Sequence, residues 1–294
     1  MATLPIMLIV FSALTHALWN SLGKRSAVNV SFYVWASTFG FIIYSPLLLF
    51  TYPKLSALPI QFWGLLLVSG AFQSMYLIGL AKAYQSGDLS LVYPLLRSFP
   101  VLFVPLFYFF IYGQSSLTLA DCFGMLLIVV GALLIPTTKL RNLSIKNYYN
   151  VTMAWTSLAV LGTVGYSLVD SAAINIMSES GWGSFEAGSS FAILQCLSVL
   201  LFMVPLVKIV FKEKIEWPAK PIFMFGTGFA LVGTYLTVLV AMSMVVEVSY
   251  LVALRQLSIP IGVMIGVLYL KEHLSSFKLI GLMVMFIGLV VVSV

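Results

Sequence analysis

The chain carries one apolar module twice. Aligning the segment from Tyr76 with that from Tyr235 pairs Asp88 with Glu247, Arg97 with Arg255, Gly124 with Gly281 and Gly131 with Gly288. The offset slides only from 159 to 157 along the alignment, so about two gaps suffice. Hydropathy places ten candidate spans at 4–22, 30–51, 60–83, 89–111, 117–136, 152–176, 186–207, 221–243, 247–269 and 275–293. Each copy then holds an odd number of spans, so the second inserts upside down relative to the first. The expected fold is an all-α polytopic membrane protein: ten transmembrane helices as two inverted five-helix repeats. The first repeat covers 1–138, a polar connector 139–150, and the second repeat 151–294. Inverted repeats are the architecture of alternating-access transport.

Composition narrows the field further. With 61% apolar and 8% charged residues, no stretch forms a sizeable soluble domain. The run Leu4–Leu22 lacks a basic leader region and reads as a first span rather than a cleaved signal. Cys122 and Cys196 lie far apart in apolar runs without a CxxC or histidine partner, which fits packing. No cofactor or metal is expected, and the +6 charge does not point to nucleic acid, because its basic residues sit in short loops.

Those loops set an orientation. Arg97 and Arg255 fall inside spans; of the other Lys and Arg residues, all but Lys54 follow odd-numbered spans. The positive-inside rule puts those loops in the cytoplasm and both termini on the opposite side, in a bacterial inner membrane. The sequons at Asn29, Asn142 and Asn150 then face the cytoplasm and are not glycosylation sites.

Two arginines are the sharpest chemical signal. Each costs about 2.5–3.5 kcal/mol near the centre of a span on insertion scales. Each lies eight residues into its span, about 12 Å deep, and the two spans start from opposite sides. The guanidiniums are therefore expected to bracket the midplane, where such a pair grips a carboxylate or phosphate. The competing role is internal: snorkelling, or pairing with carbonyls freed by Pro94, Pro100, Pro105 and Pro260.

Polar stripes mark two further spans. Ser12, His16 and Asn20 recur at i, i+4 and i+8 beside Trp19, and Gly162, Tyr166 and Asp170 repeat that spacing. His16 and Asp170 are candidate proton carriers, since both can titrate inside a protein interior. Tyr76 and Tyr235 occupy matching places and can wall a midplane pocket. Gly262 and Gly266 form a GxxxG that suits packing within the chain; a monomer suffices, and the motif also permits a homodimer.

The segments HALWN (16–20), VYPLLR (92–97), GYSLVD (165–170) and VALRQLS (252–258), with Leu270, Lys271, Glu272 and Leu274 before a glycine-spaced last span, resemble the drug/metabolite transporter superfamily, in its EamA-type ten-span branch. The first copy departs from the pattern, with Tyr112-Gly113-Gln114 in place of the acidic motif, and Gln256 stands where related proteins carry Glu. The resemblance implies a central cavity of spans 1, 3, 4, 6, 8 and 9, with the fifth and tenth outside. It implies export or exchange of small metabolites in a lipid bilayer. Substrate-facing candidates are Arg97, Arg255, His16, Asn20, Tyr76, Tyr235 and Tyr166, with Asp170 or His16 for proton coupling. The alternatives are a lipid-carrier flippase or a hydrophobic-cation exporter. An intramembrane enzyme is disfavoured, because no nucleophile motif accompanies His16 and Asp170, and no phosphate-binding loop supports ATP-driven transport.

In a background without Cys122 and Cys196, Lys24→Cys and Glu179→Cys are expected to react with an impermeant maleimide from opposite faces of the membrane. Labelling of both from one face would mean that the span count is off by one.

Overall fold

The structure, a computed structural model, describes residues 3–25, 29–86, 89–113, 117–134, 150–217, 220–245, 251, 253–261, 264 and 275–293. Every regular element among them is helical: α1 (Thr3–Arg25), α2 (Val30–Tyr44), α3 (Leu48–Leu55), α4 (Ile60–Ser86), α5 (Leu89–Tyr112), α6 (Leu119–Leu134), α7 (Val151–Glu179), α8 (Ser184–Pro205), α9 (Pro221–Met242) and α10 (Ser276–Ser293). Five helices are long and apolar enough to cross a membrane: Val30–Leu55, Ile60–Ser86, Val151–Glu179, Ser184–Val210 and Pro221–Met242. The chain is a helical membrane protein. The connector at 139–149, the acid pair Asp88 and Glu247, Gly262, Gly266 and the Leu270–Leu274 motif lie outside the described residues.

Local chemistry explains the helix ends. Asn29 accepts a hydrogen bond from the Phe32 amide at 2.9 Å, and Asn150 accepts one from the Met153 amide at 2.9 Å. Both asparagines of these sequons are therefore N-caps, occupied in satisfying first-turn donors. Gly181, at φ 80°, ends α7 in the left-handed conformation that lets the Trp182 amide reach the Met177 carbonyl.

Two expected spans are interrupted. Val30–Leu55 is not one regular helix, because Pro46 has no amide to donate and a 3-10 turn over Ser45–Leu47 separates α2 from α3. Past Pro205, α8 relaxes into a π turn over Leu206–Val210 before Phe211.

Helix directions can be read from the contacts. α4 and α7 run antiparallel: Ser69 meets Asp170 at one level, and Ser86 meets Thr152 at the other end. α4 and α8 run parallel, with Phe62 on Phe191 and Ser74 donating to the Val199 carbonyl. α2 and α9 also run parallel, from Trp35 on Trp217 to Tyr44 on Phe229. The last described helix, α10, packs on α6. Their outer faces expose Phe123, Leu126, Ile280, Met283 and Phe286, as suits contact with lipid.

Glycines set the closest approaches. A methyl group added at Gly162 would lie 2.6 Å from the Tyr76 amide nitrogen, and one at Gly79 would lie 2.7 Å from that of Ala159. A methyl carbon does not tolerate so short a contact with a backbone atom, so these two positions let α4 and α7 pack backbone to backbone. Gly131 faces Gly281 and Gly288 faces Gly124 in the same way, which makes α6 and α10 antiparallel.

Gly162→Ala is expected to lower unfolding stability by about 1–3 kcal/mol through overpacking. Gly64→Ala, on the exposed face of α4 with nothing within 4 Å, is expected to be neutral or slightly stabilising. Denaturant or thermal unfolding in detergent measures both.

Candidate functional site

The site begins with the stripe on α7. Gly162, Tyr166 and Asp170 fall on one face, and Gly162 presses that face against the backbone of α4. One turn on, the Tyr166 ring sits edge-on to Tyr76, with centroids 5.9 Å apart, and edge-on to Tyr235 at 6.0 Å. This brings the three predicted tyrosines into one aromatic cluster, the repeat-related Tyr76 and Tyr235 flanking Tyr166. One further turn on stands Asp170, wholly inaccessible to solvent.

Four helices meet at that carboxyl. Ser69 of α4 donates to Oδ1 at 2.5 Å, and the Tyr235 hydroxyl of α9 donates to Oδ2. Gln195 of α8 directs its amide nitrogen at Ser69 Oγ (2.5 Å), the Tyr235 hydroxyl (3.0 Å) and Asp170 Oδ1 (3.4 Å). A buried polar group costs several kcal/mol when unpaired, of order 2–7, and this one is fully enclosed by donors. All of those donors are neutral. Among the described residues no cation is hydrogen-bonded to Asp170; Arg255 acts on it only across Coulombic range.

The two arginines converge. Arg97 Nη2 donates to the Arg255 backbone carbonyl at 3.1 Å and to Ser258 Oγ at 3.0 Å. Arg97 therefore reaches the turn that carries Arg255, which is the internal role that competed with substrate binding. The reason is local. The segment at 253–261 tightens into a 3-10 turn over Arg255–Leu257, a helix irregularity whose Arg255 carbonyl is bonded by the guanidinium. Arg97 is thus partly consumed internally, though its Nε is buried without an acceptor. Arg255 is 7% exposed, and its guanidinium has neither a hydrogen-bond acceptor nor an ion-pair partner among the described residues.

His16 joins this centre from α1. It is buried, its ring lies 4.8 Å from that of Trp19, and both Arg97 and Arg255 act on it electrostatically. The Trp19 Nε1 donor is also buried without an acceptor. Ser12, the first member of the α1 stripe, instead ties α1 to α9 by donating to the Thr234 carbonyl at 3.2 Å. Asn20 lies on α1, with its side chain outside the described set.

Sequence reasoning missed Ser69, Gln195 and Ser258. A signal was present for one of them: Ser69 and Tyr76 fall at i and i+7 on one face of a largely apolar span. Gln195 is a lone amide in the run Phe191–Leu201, and only its depth in the fold reveals its use. The implied set of cavity-forming spans omits α8, whereas Gln195 places α8 in the centre.

The arrangement is therefore closed and donor-rich. Arg97 Nε and Trp19 Nε1 are buried without acceptors among the described residues, and the Arg255 guanidinium is given no acceptor by them. That chemistry accommodates an anion. No protein-family model and no curated protein matches the chain. A solved crystal structure of a protein resembles it with a TM-score of 0.71 at 18% identity, covering 98% of this chain and 95% of that one. At that identity the likeness shows a shared fold.

Tyr235→Phe and Gln195→Leu each remove a donor from the Asp170 cluster. Each is expected to cost about 1–2 kcal/mol, the range for hydrogen bonds between transmembrane helices. The double variant is expected to cost less than the sum of the two, because the residues share one network. Unfolding in detergent or bicelles checks both statements.

Proposed function

We propose that this protein is a secondary transporter of the EamA type, with ten spans in two inverted five-helix repeats, moving a small polar metabolite that carries a carboxylate or phosphate. Binding takes place at the buried centre between the repeats, and alternating access exposes that centre to each side of a bacterial inner membrane in turn. Both termini lie on the non-cytoplasmic side.

The observation that carries this reading is Arg255. Among the described residues it has no counter-ion, and a buried guanidinium is costly in a membrane interior unless something supplies the anion. Its repeat mate Arg97 bonds its backbone carbonyl, His16 beside Trp19 is within electrostatic reach of both arginines, and three tyrosines cluster at Asp170. The pattern of packing supports the repeat. α1 packs on α9 as α4 packs on α7, and α2 packs on α9 as α8 packs on α4. Each of those pairs interchanges when one copy is exchanged for the other. The Gly124–Gly288 and Gly131–Gly281 contacts interchange in the same way.

A thermal-shift panel of carboxylates, phosphonates, sugar phosphates and quaternary amines tests the site. An anionic member is expected to stabilise the wild type by about 2.7 kcal/mol at a hundredfold excess over its Kd. Arg255→Ala is expected to weaken that ligand at least about tenfold, the loss of a charge-assisted hydrogen bond. Arg97→Ala is expected to weaken it too, and to lower basal stability by removing the side-chain donor to the Arg255 carbonyl and to Ser258. Equal stabilisation of the wild type and both variants would sink the anion reading. Stabilisation by quaternary amines alone would favour a cation exporter.

A further inference from the structure

Two spans, Ser184–Val210 and Pro221–Met242, are joined by a short segment that must lie at one surface of the membrane. We propose that this segment is a docking site for anionic phospholipid headgroups, pinned to the neighbouring helix ends with its lysines left outward. The site is separate from the buried centre and does not depend on what is transported there.

The fold pins the segment at both ends. At its start, the Phe211 amide donates to the Leu206 carbonyl and the Glu213 amide to that of Val207, each at 3.0 Å. Lys212 between them takes the left-handed conformation, φ 53°, which turns the chain out of the π turn that ends α8. That turn brings the Glu213 carboxylate 2.8 Å from Lys82 of α4 and the Phe211 ring 4.8 Å from the same ammonium. Trp155 of α7 packs on Phe211. At the far end, the Glu216 carbonyl accepts from Trp35 Nε1 at 2.7 Å, and Trp217 sits edge-on to Trp35 and Phe39 of α2. Indole rings favour the level of the headgroups, so this second anchor fixes the depth of the segment as well as its place.

Pinning sorts the charges. Glu213 is neutralised by Lys82. Glu216 and Lys214 are 3.7 Å apart and both largely exposed, a pairing that solvent and salt weaken. Lys208, Lys212, Lys214 and Lys220 are all exposed, and all but Lys214 have no ion-pair partner among the described residues. The outward face therefore sets four cations against one acid. Four lysines directly outside a span are a pattern that gathers anionic lipid at a membrane surface.

Apolar side chains identify the partner as a lipid. Ile209 and Val210, beside Lys208 in the chain, are 72% and 61% exposed, and Trp217 and Ile222, on either side of Lys220, are 67% and 70% exposed. They continue the outer surfaces of α8 and α9, where Leu201 and Phe225 are exposed as well. A soluble phosphate offers these side chains nothing. A phospholipid meets the lysines with its headgroup and covers the apolar groups with its acyl chains.

Brominated lipids test the site, because bromine quenches nearby tryptophans. The protein is reconstituted in phosphatidylcholine vesicles containing brominated phosphatidylglycerol or brominated phosphatidylcholine, and the quenching lost in Trp217→Phe reports lipid at the segment. The anionic lipid is expected to be preferred there at least about threefold, and the preference is expected to vanish at about 1 M salt, where the Debye length is about 3 Å. Lys208→Gln, Lys212→Gln, Lys214→Gln and Lys220→Gln combined are expected to bring the two lipids to parity. Lys54→Gln, at the end of α3, is expected to leave the preference unchanged, and dissolved glycerophosphate is expected not to compete. Should Trp217→Phe disturb the anchor, native mass spectrometry of the wild type and the four-lysine variant, titrated with the two lipids in detergent, reads the same ratio. Equal occupancy by both lipids, or a preference that survives loss of the four lysines, overturns the proposal. Displacement by glycerophosphate would mark a site for soluble phosphate and overturns the lipid assignment.

Discussion

The backbone contact between α4 and α7 underlies everything else in the molecule. In a bilayer, apolar side chains gain nothing by leaving lipid for one another, so helices associate through close packing and shared polar contacts. Gly79 and Gly162 provide the first, because neither has a side chain to hold the helices apart. The second follows one and two turns later. With the backbones touching, Tyr166 must lie against Tyr76, and Asp170 must arrive within reach of Ser69.

That contact also explains why a carboxyl can live in such a place. Desolvating a charge is expensive, and an acid deep in a membrane protein usually pairs or neutralises. Asp170 instead collects neutral donors from α4, α8 and α9, and so serves as the point where those helices are joined. Each donor comes from a different helix, so any relative movement of the helices must break or exchange one of these bonds.

The arginines follow a different logic. Arg97 spends part of its guanidinium on the Arg255 carbonyl, in a 3-10 turn that α5 thereby stabilises. Arg255 is left with its side chain uncommitted among the described residues. Residues at matching places in the two copies have thus diverged in use, one structural and one available. The same asymmetry holds for the polar stripes. In α7 the stripe reads Gly162, Tyr166 and Asp170 and is consumed in packing and in the Asp170 cluster, while its counterpart in α1 brings His16 and Trp19 to the arginines.

Much of this was legible before any coordinates. Apolar runs and their spacing determined a helical membrane protein, because lipid admits few other backbone solutions. The depth of Arg97, Arg255 and Asp170 in those runs marked them as residues needing partners. The 3.6-residue period placed Tyr166 and Asp170 on one face. What only the tertiary structure decided is which partners they meet. Ser69 and Gln195 are 101 and 25 residues from Asp170, and Ser258 is 161 residues from Arg97. Periodicity along one helix carries no record of what faces it across a contact. That information arises from the approach of helices, and glycines distant in sequence set that approach.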